Sequence, residues 1–244
     1  MRVAIISDIH GNFQALEAVL EDMETKQCTK VFCLGDLAMA GPQPRMLIEF
    51  VSKQKNWVVI QGNTDKMIAE FTPKLFEEVH SNFPVMANAL ADDVNIIEED
   101  KKDYLRHLPA QKELEIEGVK VLLVHGSPRR NNEDILPDMP LKKVEEIISG
   151  TNADVIFCGH THIPCGYQTN SKQTVVNVGS VGRPMHGEPK ACYVIADFED
   201  SGFSIEHRFI NYDKDMASEI MLQRNFDGCK KLAEMILNPT SRHI

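Results

Sequence analysis

A chain of 244 residues, 43% hydrophobic and 25% charged, has the composition of an ordinary globular protein and the length of one large domain or two small ones. Its formal net charge of −10, with no Lys/Arg-rich block, excludes stable binding to duplex DNA or RNA, which needs a basic face. No apolar run approaches the roughly 18 residues of a membrane span, and Met1-Arg2 leads straight into a strand pattern, leaving no room for a signal peptide.

Residues 2–7 read as a buried parallel strand, apolar with almost no alternation. Asn12 caps a helix to about residue 24, with Phe13, Leu16, Val19 and Leu20 on one face. A second strand over 31–34, a helix over 45–52 and a third strand over 57–60 complete a βαβαβ pattern, the mark of a parallel sheet. Residues 66–110 break this rhythm with helical patterning and three prolines. They read as a helical insertion, either a cap over a site or helices on the sheet's flank. The stretch 111–125 is a hairpin around Glu117-Gly118, and 128–140 is a polar loop. A helix over 141–149 stops at Gly150, and 153–158 is another buried strand. Strand patterns over 165–169, 174–178, 191–198 and 203–210 suggest a second sheet of mixed or antiparallel strands. The tail, 212–238, is helical with a break near Gly228, and it is the element that would pair two chains in a homodimer. No Gly/Pro/Ser-rich linker divides the chain, so 1–244 reads as a single domain.

Six cysteines are present and none forms a C-x-x-C pair. They read as thiols of a reducing compartment, and with no targeting segment the expected location is the cytoplasm.

Five apolar runs end in Gly-flanked clusters of Asp, Asn or His: Asp8-Ile9-His10-Gly11-Asn12, Gly35-Asp36, Gly62-Asn63-Thr64-Asp65, His125-Gly126-Ser127 and Gly159-His160-Thr161-His162. Strands of an α/β sheet present their carboxyl ends this way, where ligands bind. Carboxylate, amide oxygen and imidazole suit divalent cations of intermediate hardness: Mn²⁺, Fe²⁺, Zn²⁺ or Ni²⁺. Asp8 and His10 are two apart, as are His160 and His162, so each pair points one way on extended chain. Asp36, Asn63 and His125 each end a strand. These seven ligands exceed one four-coordinate ion and suit two ions sharing a carboxylate. Such a pair clamps the attacking and leaving oxygens of a phosphoryl transfer. The ordinary alternative for any one of these residues is a structural role in the core.

Asp-x-His, Gly-Asp, Gly-Asn, His-Gly and Gly-His-x-His together resemble the calcineurin-like metallophosphoesterases, in the family's order and from Met1 to about Phe198. The stretch Asn177-Val178-Gly179-Ser180-Val181-Gly182-Arg183-Pro184 is similar to one in the small bacterial and archaeal phosphodiesterase branch. The resemblance implies an α/β fold of four layers, an αββα sandwich of two mixed sheets flanked by helices. It implies that Asp8, His10 and His162 hold one metal, that Asn63, His125 and His160 hold a second, and that Asp36 bridges them. The implied activity is phosphodiester hydrolysis of a small-molecule substrate, by in-line attack of a metal-bridging hydroxide, with Mn²⁺ the favoured ion. A phosphomonoesterase, or a nucleotide or dinucleoside polyphosphate hydrolase, on the same site is one alternative. A non-catalytic scaffold is another, against which all seven ligand positions are filled.

Many family members carry His directly after Gly-Asn, where this chain has Thr64. General acid catalysis is worth typically 10²–10⁴-fold, so esters with good leaving groups are expected to react best. His186 is either a substitute acid or a solvated loop residue. Arg183 and Arg129 are candidates to hold phosphate oxygens, since guanidinium fits that geometry, or are surface charges. Asn12 either orients phosphate or only caps its helix. His80, His107, His207 and His243 lie outside every motif.

Overall fold

The structure is a computed structural model that describes residues 1–200 and 202–241. Its first strand, β1 (Arg2–Ile6), is followed by α1 (Phe13–Thr25), β2 (Lys30–Cys33), α2 (Pro44–Ser52) and β3 (Trp57–Val59). The three strands pair in parallel, as the βαβαβ pattern requires. Asn12 starts α1 by accepting the Ala15 N–H, and Ala15, Leu16, Val19 and Met23 form its buried stripe. Four helices follow: α3 (Asn63–Ala69), α4 (Pro73–His80), α5 (Pro84–Ile96) and α6 (Glu99–His107). Leu90 and Ala89 of α5 and Leu105 of α6 enter the same core as α1 and α2, so these two helices lie on the flank of the sheet. Helix α3, whose Ile68 and Ala69 enter that core too, begins at Asn63 and, with α4, borders an open cleft that also touches Asn131 and Asn132.

The hairpin β4 (Gln111–Ile116) and β5 (Val119–Val124), then α7 (Leu141–Ile148), β6 (Val155–Cys158), β7 (Cys165–Gln168) and β8 (Thr174–Asn177), form the second half. Two long strands, β9 (Ala191–Glu199) and β10 (Gly202–Ile210), precede α8 (Lys214–Gln223) and α9 (Cys229–Leu237). Gly228, at φ 99°, makes the break between those last helices in a backbone region that other residues enter only at a cost.

The strands make two five-stranded mixed sheets, β10-β9-β1-β2-β3 and β4-β5-β6-β8-β7. This corrects one expectation. The late strands do not stay together: β7 and β8 join the second sheet, while β9 returns to pair antiparallel with β1. The reason is burial. β1 is buried from Val3 to Ile6 and needs a neighbour on each edge, and the nearly fully buried β9 supplies one.

Alternation along the strands builds three cores. Ala4 and Ile6 face α1 and α2, whereas Val3, Ile5, Phe32 and Leu34 face Val121, Leu123, Val155 and Phe157 of the other sheet. On the far side, Leu122, Val124, Ile156 and Cys158 pack on Val144, Ile147 and Ile148 of α7. Helix, sheet, sheet and helix are thus the four layers. Among the described residues no helix is long and apolar enough to cross a membrane. His243 lies outside the described residues.

Candidate metal centre

The loops after β1, β2 and β6 leave their strands abruptly. Asp8 (φ 54°), His10 (φ 48°), Asp36 (φ 54°), His160 (φ 66°) and His162 (φ 63°) all adopt the left-handed conformation, which corrects the expectation of extended chain for the Asp8/His10 and His160/His162 pairs. Each costs on the order of 1–2 kcal/mol for a residue with a Cβ, and such strain gathers at functional sites. The loops hold one another in place. The Asp8, His10 and Gly11 N–H groups donate to the carbonyls of Gly35, Asp36 and Leu37 at 3.0, 2.9 and 2.8 Å, and the Gly159 N–H donates to His125 O at 2.7 Å.

Three imidazoles are fixed by their outer nitrogens. Nδ1 of His10 bonds Met39 O at 2.8 Å, Nδ1 of His125 bonds Leu34 O at 2.7 Å, and Nδ1 of His162 bonds Arg183 O at 2.6 Å. A carbonyl only accepts, so each Nδ1 carries a proton and each ring turns its Nε2 inward, where it offers a lone pair whenever the ring is neutral. His10 Nε2 and His162 Nε2 stand 3.2 Å apart. Asp8 Oδ1 lies 3.2 Å from His162 Nε2, 3.8 Å from His10 Nε2 and 3.9 Å from His125 Nε2. That oxygen is buried and has no hydrogen-bond partner among the described residues. Asp36 Oδ2 sits 3.7 Å from His10 Nε2 and 3.4 Å from His125 Nε2.

Two clusters result, Asp8–His10–His162 and Asp8–Asp36–His125, each with ligand atoms within 4.8 Å of one another. Asp8 belongs to both, and Asp36 also lies between a histidine of each. Lone pairs facing lone pairs around an orphaned carboxylate oxygen repel unless a cation lies among them, so this donor set fits divalent metal. Electrostatics agree. Burial alone would lower the His125 pKa, but Asp36 and Asp8 hold it up at about 10. Burial would raise the Asp8 pKa, yet His162 and His125 hold it below the usual carboxylate range. The cluster draws in positive charge, as a proton or as a metal ion. His10, by contrast, is lowered to about 4 by burial and by His162, and stays a neutral donor.

Asn63 joins the second cluster, its Oδ1 3.0 Å from His125 Nε2. His160 stands beside His125 with ring centroids 5.4 Å apart, but its Nε2 faces Asp134 at 3.4 Å while its backbone N–H donates to Asp8 Oδ2 at 2.9 Å. Arg183 is close enough to Asp36 and Asp8 to feel their charge, and among the described residues no hydrogen bond or ion pair engages its guanidinium. The other three candidates have local partners. Asn12 uses Oδ1 to cap α1 and Nδ2 to reach Gly182 O at 2.9 Å. Arg129 grips Glu133 through two nitrogens. His186 bonds Lys190 O at 3.1 Å and packs edge-on against Phe209. Thr64 hydrogen-bonds Ala38 O at 2.9 Å through its hydroxyl.

Four buried residues that position the site had no assigned role in the sequence. Asp65 accepts N–H bonds from Asp36, Leu37 and Gly62 at 2.8–2.9 Å. Asp93 accepts the Met39 N–H at 2.7 Å. Asn177 donates to Gly159 O and Thr161 Oγ1, and Ser180 donates to Asp8 O at 2.8 Å. Asn177 and Ser180 were legible as part of a motif, and Asp65 as a member of the Gly62-Asn63-Thr64-Asp65 cluster, but neither signal names a partner.

The family model described as "Calcineurin-like phosphoesterase superfamily domain" matches residues 1–201. An uncharacterised protein of Methanocaldococcus jannaschii, MJ0912, is 31% identical over 234 residues, covering 89% of this chain and 90% of its own. The crystal structure of a metallophosphoesterase from Sphaerobacter thermophilus superposes with a TM-score of 0.76 at 26% identity, covering 97% of this chain and 98% of that one. Phosphodiesterase YfcE of Escherichia coli K12 is 25% identical over 206 residues, covering 81% and 88%. With its two-sheet sandwich and its converging Asp and His loops, this chain belongs to the calcineurin-like phosphoesterase superfamily.

Proposed function

We propose that this chain hydrolyses phosphodiesters with two divalent metal ions, Mn²⁺ favoured, held by Asp8, His10 and His162 and by Asn63, His125 and His160, with Asp36 between them. The observation that carries this reading is the convergence of His10 Nε2, His162 Nε2, His125 Nε2 and Asp36 Oδ2 on the orphaned Asp8 Oδ1. Metal ions bound there would supply Lewis acidity and an activated water for in-line attack on phosphorus. The protein's part is to fix the donors and to receive the phosphate. Nδ1 bonds to three carbonyls set the imidazoles, and the unengaged Arg183 guanidinium is placed to take a non-bridging oxygen. Helices α3 and α4, with the 128–140 loop, form the rim over which substrate enters.

Two observations favour a diester. The Thr64 hydroxyl is committed to Ala38 O, so that position offers no acid to a poor leaving group. The relative YfcE is named a phosphodiesterase. The cysteines are free, in keeping with a cytoplasmic enzyme.

The test uses metal-stripped protein reloaded with Mn²⁺, assayed on bis(p-nitrophenyl) phosphate and on p-nitrophenyl phosphate, with Asp36→Asn as control. Metal stoichiometry is measured in parallel. Diester turnover that needs Mn²⁺ and Asp36, with about two ions per chain, is the expected result. A preference for the monoester would overturn the diester reading, and two bound metals without turnover of either ester would point to a scaffold.

A further inference from the structure

Beside the metal centre lies a second cleft, of about 290 Å³, between the start of α5 and the face of α9. Phe83, Met86 and Met235 supply apolar walls, while Asn82 and Lys231 stand at the rim. Arg183 lines it too, and this residue connects the cleft to the metal centre: its carbonyl fixes His162. Phe83 is 65% exposed, an unusual placement for a large aromatic side chain. The volume is at the small end of ligand pockets, suited to one ring system and too short for an extended acyl chain.

The walls are firmly built. Gly228 packs so closely on Val85 that an added Cβ would lie 2.8 Å from it, and Asn88 donates to Asp227 O at 3.2 Å. Thus the C-terminal helices and α5 together form a fixed slot. An aromatic wall with two thioethers favours a flat, polarizable group. The Asn82 side chain, whose Nδ2 donates to Ser81 Oγ and Glu78 O, offers its Oδ1 as an acceptor to that group's N–H, and Lys231 adds positive charge at the mouth.

Resting on the phosphodiesterase reading above, we propose that this cleft is a specificity subsite that takes a nucleobase-like heteroaromatic group of the diester, stacked on Phe83, while Arg183 holds the phosphate between the cleft and the metal centre.

Two substrates share a leaving group and differ in the group that would fill the cleft: thymidine 5′-(p-nitrophenyl phosphate) and methyl p-nitrophenyl phosphate. The Mn²⁺-loaded enzyme should show at least a ten-fold higher kcat/KM on the thymidine ester. Phe83→Ala should lower that ratio by about five-fold or more, the scale of one base–aromatic stack, and Phe83→Tyr should restore it. Calorimetric binding of thymidine 5′-monophosphate supplies a readout apart from turnover. Hydrolysis of both esters at similar kcat/KM, with nucleotide binding indifferent to Phe83, would overturn the subsite. Failure to hydrolyse either ester would overturn the phosphodiesterase reading instead. The subsite would then stand if Phe83→Ala still weakened nucleotide binding about five-fold, and would fall if it did not.

Discussion

Asp65 holds the backbone of Asp36: its Oδ2 accepts the Asp36 N–H at 2.8 Å and the Gly62 N–H at 2.9 Å, while Oδ1 accepts Leu37 N–H at 2.9 Å. One buried carboxylate therefore ties the loop carrying Asp36 to the helix that starts at Asn63. Asp65→Asn keeps the volume but turns a donor toward backbone N–H groups. We expect a 10- to 100-fold loss of metal affinity, the usual range for residues that orient ligands. Metal titration of the folded variant checks this, and unchanged affinity would show that Asp36 is held by its other contacts alone.

A longer chain of contacts runs from the C-terminal helices to His10. Arg224 binds Asp92, Asp93 and Gly41 O; Asp93 accepts the Met39 N–H; Met39 O fixes His10 Nδ1. Burial pushes the Asp93 carboxyl up to about 6 against the pull of Arg224. Arg224→Ala should cost about 3–5 kcal/mol, because it leaves a buried carboxylate unpaired. Adding Asp93→Asn should recover part of that loss. Urea denaturation of both variants decides it; a single-variant loss below about 1 kcal/mol would mean the pair is replaceable by water.

The third prediction concerns pH. Asp22 on α1 receives hydrogen bonds from Arg208 on β10 and Tyr193 on β9. Burial alone would raise its pKa, but those bonds and the Arg208 charge hold it below the usual 3.8. A carboxyl depressed in the folded state contributes its stability above the unfolded pKa and loses it as pH falls through the folded one. Asp22→Asn should therefore destabilise the protein by about 1.5–3 kcal/mol at neutral pH. The gap to wild type should narrow below about pH 4. Melting curves from pH 3 to 7 measure it, and a gap that stays constant across that range would refute the charge argument.

Much of this molecule was local in origin and so legible in the chain. Apolar periodicity, Asn12 as a cap and Gly150 and Gly228 as breaks depend on neighbours within a few residues. They placed the helices and strands and identified the loops that carry metal-type ligands. What the tertiary structure decided were pairings across long sequence separations. β9 reads as one more late strand, yet it pairs with β1 because β1 has two edges to fill. Asp93 and Arg224 look like solvated charges on helices, and Asp65 like one more acid of a ligand cluster; the two carboxylates become site-positioning groups only when distant loops bring backbone N–H groups to them, and Arg224 when it meets Asp93 and the Gly41 carbonyl. Arg183 and Arg129 are indistinguishable by type; one stands beside the carboxylates of the metal centre and the other is taken by Glu133. The sequence thus determined which chemistry the loops offer. Burial, which no local pattern encodes, determined which charges face one another and which carboxylate oxygen, Asp8 Oδ1, has no hydrogen bond among the described residues.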